Sequence, residues 1–456
     1  FFKFLLHTLY RDGHFFWSWS YGLGGDIFGQ FNYYYSASLF FGLMLFFDID
    51  TLTDVAGWVY KSSIIKHFFA MLFLYMLLCY HQRSFTASVI GALMYGGTFL
   101  FAVNSLAFDF MLDPYVWLPL AVLAFDFYYD KGKHWPFILV IAFMVANSFY
   151  FGFISSVYLV MYAVYRYFDG ERTGFWRYGL RTAGVYLIGL GASFFAFLPA
   201  VYQFLQTDRL QKEYDIPALF DWNFYKDLLL ALFLPYGTSP QTEYMVGLPF
   251  FAFILVLAGL TVKARAKKVF LGIVIGMMLV PFMYSFFNGM SAMQSRWLYL
   301  VSFTICLMVP FFFDEIVKSK KSRGILIAGG VVFFILYVWI TGGDKKPNYL
   351  RNDFIVIGVG IASALAFIFY CRSKKWIWSG VLIFTVILNG MLQHYIYYGI
   401  KLGSPETQKD ANRAYLSKIS FDNKEGLGLI DTIEEHDPGF YRIIWDHPDI
   451  EYNTSM

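Results

Sequence analysis

Long apolar runs separated by short polar connections make up most of the chain. A helix that crosses a bilayer needs about 20 mostly apolar residues, within a range near 17–25. Twelve runs fit: roughly 55–80, 86–104, 114–129, 136–151, 153–168, 183–202, 246–262, 269–287, 297–314, 324–341, 354–371 and 377–396. The third to fifth are short and crowded, as expected if one is broken or re-entrant. Alternate connections are basic. They carry Arg83; Lys131 and Lys133; Arg166, Arg172, Arg177 and Arg181; Lys263, Arg265, Lys267 and Lys268; Lys318, Lys320, Lys321 and Arg323; Arg372, Lys374 and Lys375. Short loops rich in Lys and Arg stay in the cytoplasm, so the remaining connections are predicted to lie outside.

Two of those outer connections are long. Residues 1–54 open with an amphipathic stretch from Phe1 to Tyr10, continue through a polar turn, and hold an apolar stretch from Tyr33 to Phe47. That stretch is short for a span and would invert the loop alternation if it crossed, so it is predicted to lie flat on the outer surface. In 203–245, Leu228, Leu229, Leu230, Leu232 and Phe233 recur at helical spacing and predict a second interfacial helix. The pattern gives an all-α polytopic membrane protein in three parts. These are a first outer loop with interfacial helices (1–54), a transmembrane helical bundle (55–398) and the beginning of an extracellular soluble domain (399–456). The chain opens at Phe1 inside an apolar stretch and stops in a polar one, so one further span upstream and more of the outer domain downstream are expected.

Composition agrees. Hydrophobic residues make up 58% and charged residues 15%, with mean hydropathy +0.52. Soluble domains carry about 25% charged residues, and so few charges suit a surface that faces lipid. The net charge of +3 argues against a nucleic-acid partner. Cys79, Cys306 and Cys371 lie far apart in or beside apolar runs, which predicts buried free thiols and neither a zinc spacing nor a disulfide framework. The chain contains no HExxH, no Walker loop, no nucleophile elbow and no DxD pair. No cofactor is called for, and a divalent metal held by acidic residues stays an open alternative.

The densest polar and aromatic cluster runs from Arg11 and Asp12 through His14, Trp17, Trp19 and Tyr21 to Asp26. Rings beside carboxylates suit a sugar, and Asp12 or Asp26 could serve as general base toward an acceptor hydroxyl. A tight glycine turn with tryptophan anchors accounts for the same residues. Asp109 and Asp113 share the next outer loop. Asp113 before Pro114 fits a helix start as well as a catalytic role. Gln294-Ser295-Arg296-Trp297 brings a cation to the outer mouth of a span, where a guanidinium can grip a lipid phosphate or snorkel to ordinary headgroups. Lys66 lies at membrane depth, where a charge is costly and usually faces a cavity, and is the other phosphate candidate.

Several of these pieces occur together in a known order. Asp12 through Trp17-Ser18-Trp19, Gly22-Leu23-Gly24 and Tyr33-Tyr34-Tyr35-Ser36 resemble the amino-terminal part of the YfhO family. Leu112-Asp113-Pro114 with Leu118-Pro119-Leu120, Asn147 to Gly152, Gln294-Ser295-Arg296-Trp297 and Phe440-Tyr441-Arg442 follow in the same sequence. These are bacterial multispanning proteins of the GT-C glycosyltransferase type. The resemblance implies an inverting transferase in the plasma membrane with its active site facing outward. The donor would be a polyprenyl-phosphate-linked sugar and the acceptor an envelope glycan such as lipoteichoic or wall teichoic acid, with membrane lipids as neighbours. It also implies a catalytic Asp upstream of Phe1, with Asp12, Asp26 and Asp113 as the acidic candidates in this chain. Arg296 and Lys66 would face the donor phosphate, with Trp17, Trp19, Tyr34 and Gln294 lining the substrate. Ala37-Ser38 stands where the family often has a proline. Two rival readings are a lipid or polysaccharide transporter, which needs ionisable residues along a path through the bilayer, and a non-catalytic assembly scaffold.

Overall fold

The structure is a computed structural model. It describes residues 2–401 apart from 20, 22–23, 171–173, 207–213, 235–245, 374 and most of 320–346. The predicted outer domain from 399 and the predicted span at 324–341 therefore lie almost wholly outside the described residues.

The chain folds as α1 (Phe2–Arg11), a two-residue strand pair β1 (Trp17–Ser18) and β2 (Gly25–Asp26), α2 (Ile27–Phe31), α3 (Leu39–Met44) and α4 (Leu52–Tyr80). Next come α5 (Phe85–Gly96), α6 (Phe99–Ala107), a 3-10 turn (Asp109–Leu112), α7 (Asp113–Lys131), α8 (His134–Asn147) and α9 (Phe149–Asp169). They are followed by α10 (Phe175–Ala192), α11 (Phe194–Leu205), α12 (Trp222–Ala231), α13 (Phe250–Gly259), α14 (Arg265–Met277) and α15 (Pro281–Phe286). A second 3-10 turn (Arg296–Leu298), α16 (Tyr299–Lys318), α17 (Pro347–Ser373) and α18 (Trp376–Lys401) complete the order. A small antiparallel hairpin pairs Trp17 with Asp26 across the stretch read from the sequence as a tight glycine turn.

Among the described residues, four helices are long and apolar enough to cross a membrane, or up to six if each bent pair counts as one span. Several of the expected runs are broken there for local reasons. The run 86–104 bends by 47° between α5 and α6, and 183–202 bends by 82° between α10 and α11. The run 269–287 is interrupted where Pro281 opens α15, because proline lacks the N–H that a continuous helix needs. The runs 136–151 and 153–168 meet at Ser148, whose extended backbone (φ −162°, ψ 120°) parts α8 from α9. Tyr33–Phe47 does not span and holds only the six-residue α3. The helix expected in 203–245 is present as α12, but Leu228, Leu230, Leu232 and Phe233 are buried in the main core rather than laid on a lipid surface.

α7 and α16 form the centre and are buried along most of their length, whereas α4 and α17 leave more than half of theirs uncovered. α5 packs closely on α16 at Gly91, where a Cβ would meet the Pro310 ring at 2.6 Å. α4 starts at a capping box, Thr51 and Asp54 each satisfying the other's backbone N–H. α7 ends at Gly132 in the left-handed conformation (φ +67°), which glycine adopts without steric cost. The outer segment has its own core of Leu6, Leu9, Tyr10, Ile27, Phe31, Phe41, Met44 and Ile49, with Val55 and Trp58 of α4 added. Cys306 and Cys371 are buried as expected, while Cys79 is exposed, and none of the three is in a disulfide.

One end of the bundle gathers four of the basic connections. Arg166 holds Asp126 at 2.7 Å and Asp130 at 2.9 Å. His81 and the Tyr162 hydroxyl also reach Asp126, at 2.9 and 2.8 Å. Lys267 pairs with Asp169 at 2.7 Å, Arg83 with Asp314 at 3.6 Å, and Lys131 lies 4.6 Å over the Phe127 ring. The segregation of Lys and Arg makes this the expected cytoplasmic end. In a Cys79→Ala background, Lys263→Cys should resist a membrane-impermeant maleimide in intact cells and Asp48→Cys should react. The reverse pattern would invert the topology.

Candidate functional site

The opposite end holds a second ionic group, assembled from five elements. Asp109 lies in the 3-10 turn and Asp113 opens α7, four residues apart, so both carboxylates meet Lys66 of α4. The Lys66 ammonium lies 2.7 Å from Asp113 Oδ1 and 3.3 Å from Asp109 Oδ2, and donates to the Asp109 carbonyl at 2.8 Å. Lys3 of α1 pairs with Asp109 Oδ2 from the other side. Tyr35 donates to Asp109 Oδ1 (3.2 Å), and Ser38 and Asn147 donate to Asp113 Oδ2 (2.8 and 2.9 Å). All four charges are at most 5% exposed. Two ammoniums therefore balance two carboxylates in a dry setting, the arrangement that makes buried charge tolerable. Burial draws the Lys3 ammonium below the ordinary lysine range against the opposing pull of Asp109. Burial, then Asp109, pushes the Tyr35 phenol well up, so it stays a donor.

This geometry engages two of the candidates within the protein. Asp113 begins a helix but caps nothing with its side chain; its oxygens serve Lys66, Ser38 and Asn147. The Lys66 ammonium is engaged by both carboxylates and the Asp109 carbonyl.

Arg296 is arranged differently. It sits half-buried in the second 3-10 turn, donates from Nη1 to the Tyr33 hydroxyl, and lies 5.7 Å over the Tyr33 ring and 5.9 Å over that of Tyr150. Tyr150 donates to Asn288 Oδ1 at 3.1 Å. Among the described residues no carboxylate lies within ion-pair distance of Arg296. Tyr34, next in sequence to Tyr33, stacks on Phe2 (5.8 Å) and stands edge-on to Phe110 (5.0 Å). Gln294 is half-buried, its backbone N–H donating to the Tyr284 carbonyl at 3.2 Å.

The outer segment is tied to this end by polar contacts. Asn32 spans the α8–α9 junction, donating to the Ala146 carbonyl (3.1 Å) and accepting from the Phe149 N–H (3.3 Å), while Ser148 donates to the Tyr33 carbonyl (3.2 Å). Asp26 caps α2 by accepting from the Gly29 N–H at 3.0 Å and accepts from Gln203 of α11 at 3.0 Å. Its carboxylate is thus structurally engaged. Asp12 is exposed, and its carboxylate has no partner among the described residues. Trp17 and Trp19 are half exposed and meet edge to face at 5.8 Å. Gly24, at φ +98°, lets the Trp19 ring close over it, since a Cβ there would stand 2.5 Å from that ring.

The structure thus brings Lys66, Asp113 and Asn147 together, and places Arg296 with Tyr33 and Tyr150. The sequence reading missed Lys3, Tyr33, Tyr35 and Tyr150. Lys3 had a signal: it shares one helical face with Leu6, His7 and Tyr10, and a cation on the apolar stripe of an amphipathic helix asks for a buried partner. Among the described residues no group of three or more His, Cys, Asp or Glu side chains is placed to hold a metal.

Comparison with known proteins agrees with the resemblance in the sequence. No solved structure matches the chain. The curated protein described as "Uncharacterized protein YfhO", from Bacillus subtilis (strain 168), is similar: 26% identical over 472 residues, covering 97% of this chain and 52% of its own length. The chain therefore spans about half the length of that relative. The family described as "Bacterial membrane protein YfhO" matches residues 1–456, and the chain belongs to that family.

Proposed function

We propose that this chain is the membrane part of a glycosyltransferase that moves a monosaccharide from a polyprenyl-phosphate donor to an envelope polymer, such as a lipoteichoic or wall teichoic acid, on the outer face. The observation that carries the reading is Arg296: a guanidinium held by two tyrosines, with no carboxylate partner among the described residues, at the end of the bundle away from the basic loops. Such a group is a ready seat for a lipid phosphate. In the reaction an acceptor hydroxyl oxygen attacks the anomeric carbon with inversion. The bond from that carbon to the phosphate oxygen breaks, and the lipid phosphate leaves with the electron pair. The hydroxyl proton passes to a carboxylate. Of this chain's candidates, Asp12 is the one with an unengaged carboxylate, and the half-exposed Trp17 and Trp19 offer stacking surfaces for a sugar.

The distribution of charge favours transfer over transport. In α7 the ionised residues lie at the two ends, Asp113 and then Asp126 onward, with an apolar stretch between, which gives an ion or sugar phosphate no polar path along that helix. Arg296→Ala should raise the apparent donor requirement about 10–100-fold, the worth of a charged hydrogen bond of roughly 1.5–3 kcal/mol. Arg296→Lys should recover part of it. The assay is transfer of labelled sugar from purified donor lipid in membranes matched for protein level. Unchanged donor dependence would return Arg296 to a membrane anchor, and movement of labelled lipid across proteoliposomes without bond formation would favour a transporter.

A further inference from the structure

We infer that Lys3 is a positioning residue for the Arg296 anion seat, acting through Asp109 and Tyr35; the inference rests on Arg296 binding a lipid phosphate. Asp109 and Phe110, neighbours in the 3-10 turn, form the hub. Asp109 takes Lys3 and Lys66 on one oxygen and the Tyr35 hydroxyl on the other, at 3.2 Å. The Lys3 ammonium also lies 4.7 Å over the Tyr35 ring. Phe110 is met edge-on by Tyr33, Tyr34 and Tyr35, at 5.6, 5.0 and 5.7 Å. Three consecutive tyrosines thus fan around one ring. The last is fixed by a carboxylate, and the first receives the Arg296 guanidinium.

The outer segment keeps an apolar core largely its own, and it meets the bundle through Tyr33, Tyr34, Tyr35 and Phe40 on the main core and through polar ties. Among these, the Lys3 contact joins α1 directly to the hub. Without the Lys3 charge, Asp109 is left to share the single ammonium of Lys66 with Asp113. Its carboxylate then turns toward Lys66, Tyr35 loses its fixed acceptor, and the fan rotates about Phe110. Tyr33 moves with the fan, and Arg296 loses the hydroxyl that aims it. Neither Lys3 nor Tyr35 touches Arg296, so any effect on anion affinity passes through this chain of contacts.

The test is titration of farnesyl phosphate into the full chain in lipid nanodiscs, with farnesol as the uncharged control. Lys3→Met and Tyr35→Phe should each weaken farnesyl phosphate binding about five- to tenfold, in the range of coupling between contacting residues, without changing farnesol binding. Lys3→Arg should retain most of the affinity. Combined with Arg296→Ala, neither change should weaken binding further, because the group they position is gone. Tyr35→Phe removes one hydroxyl and keeps the ring, so it tests the idea even if Lys3→Met folds poorly. Wild-type affinity in Tyr35→Phe, or losses that add to that of Arg296→Ala, would overturn the positioning role while leaving the phosphate seat intact. Full affinity in Arg296→Ala itself would remove the seat and the inference together.

Discussion

Lys66→Met is expected to destabilise the folded protein by about 3–5 kcal/mol, the usual cost of stranding one side of a buried ion pair. The wild-type ammonium lies 2.7 Å from Asp113 and 3.3 Å from Asp109, all three groups being at most 3% exposed. Methionine fills the same volume but supplies no charge. Asp109 then keeps Lys3, while Asp113 retains the neutral donors Ser38 and Asn147, and one negative charge stays buried without a counterion. Adding Asp113→Asn should restore a large part of the loss, since it removes the stranded charge and preserves an acceptor for Ser38. The measurement is the denaturant or temperature midpoint of the purified protein in detergent. A Lys66→Met variant as stable as wild type would mean that water or lipid headgroups, and not this lysine, neutralise the two carboxylates.

Arg166→Met should have a comparable effect at the other end. Asp126 is fully buried and receives Arg166 Nε at 2.7 Å, while the same guanidinium reaches Asp130 at 2.9 Å and stacks 4.6 Å over Tyr129. Removing it leaves Asp126 with the Tyr162 hydroxyl and His81, and a loss of about 3–5 kcal/mol is expected. Arg166→Lys should recover less than half. A lysine is a point charge and cannot present separate donors to both carboxylates in one plane. The same midpoint measurement decides. Full recovery with lysine would show that charge alone matters and that the two-carboxylate geometry does not.

The helical membrane class could be read from the chain because apolar run length and loop charge are local properties, and the basic residues of four predicted loops meet at one end. The breaks were harder. Pro281 inside an apolar run was visible, but the 82° bend at Ser193 and the extended backbone of Ser148 depend on how neighbouring helices pack. Arg296 could be singled out because a lone cation at a helix mouth is conspicuous. Its partners could not: Tyr33 lies 263 residues away in sequence, and nothing local distinguishes it from Tyr34, which packs as part of the aromatic layer. Lys66 was legible as a costly charge at membrane depth, but its carboxylate neighbours were not, since Asp109 and Asp113 lie 43 and 47 positions on and meet it on one face only in the fold. Asp26 illustrates the same limit, since the Gln203 that engages it belongs to α11.

Asp113 and Asp126 are thirteen positions apart on α7, about 20 Å at 1.5 Å per residue, within the roughly 30 Å hydrocarbon thickness. At each end cations pair with carboxylates: Lys3 and Lys66 with Asp109 and Asp113, two charges against two, and Arg83 with Asp314, Arg166 with Asp126 and Asp130, and Lys267 with Asp169. A membrane voltage does work only on net charge carried through the field, worth about 2.3 kcal/mol per charge per 100 mV. A motion that keeps the Lys3, Lys66, Asp109 and Asp113 group whole carries none. That group is therefore electrically silent: the resting potential of the cell neither drives nor opposes its movement, and the sensitivity to voltage of a step at Arg296 is left to the guanidinium and the bound lipid phosphate together.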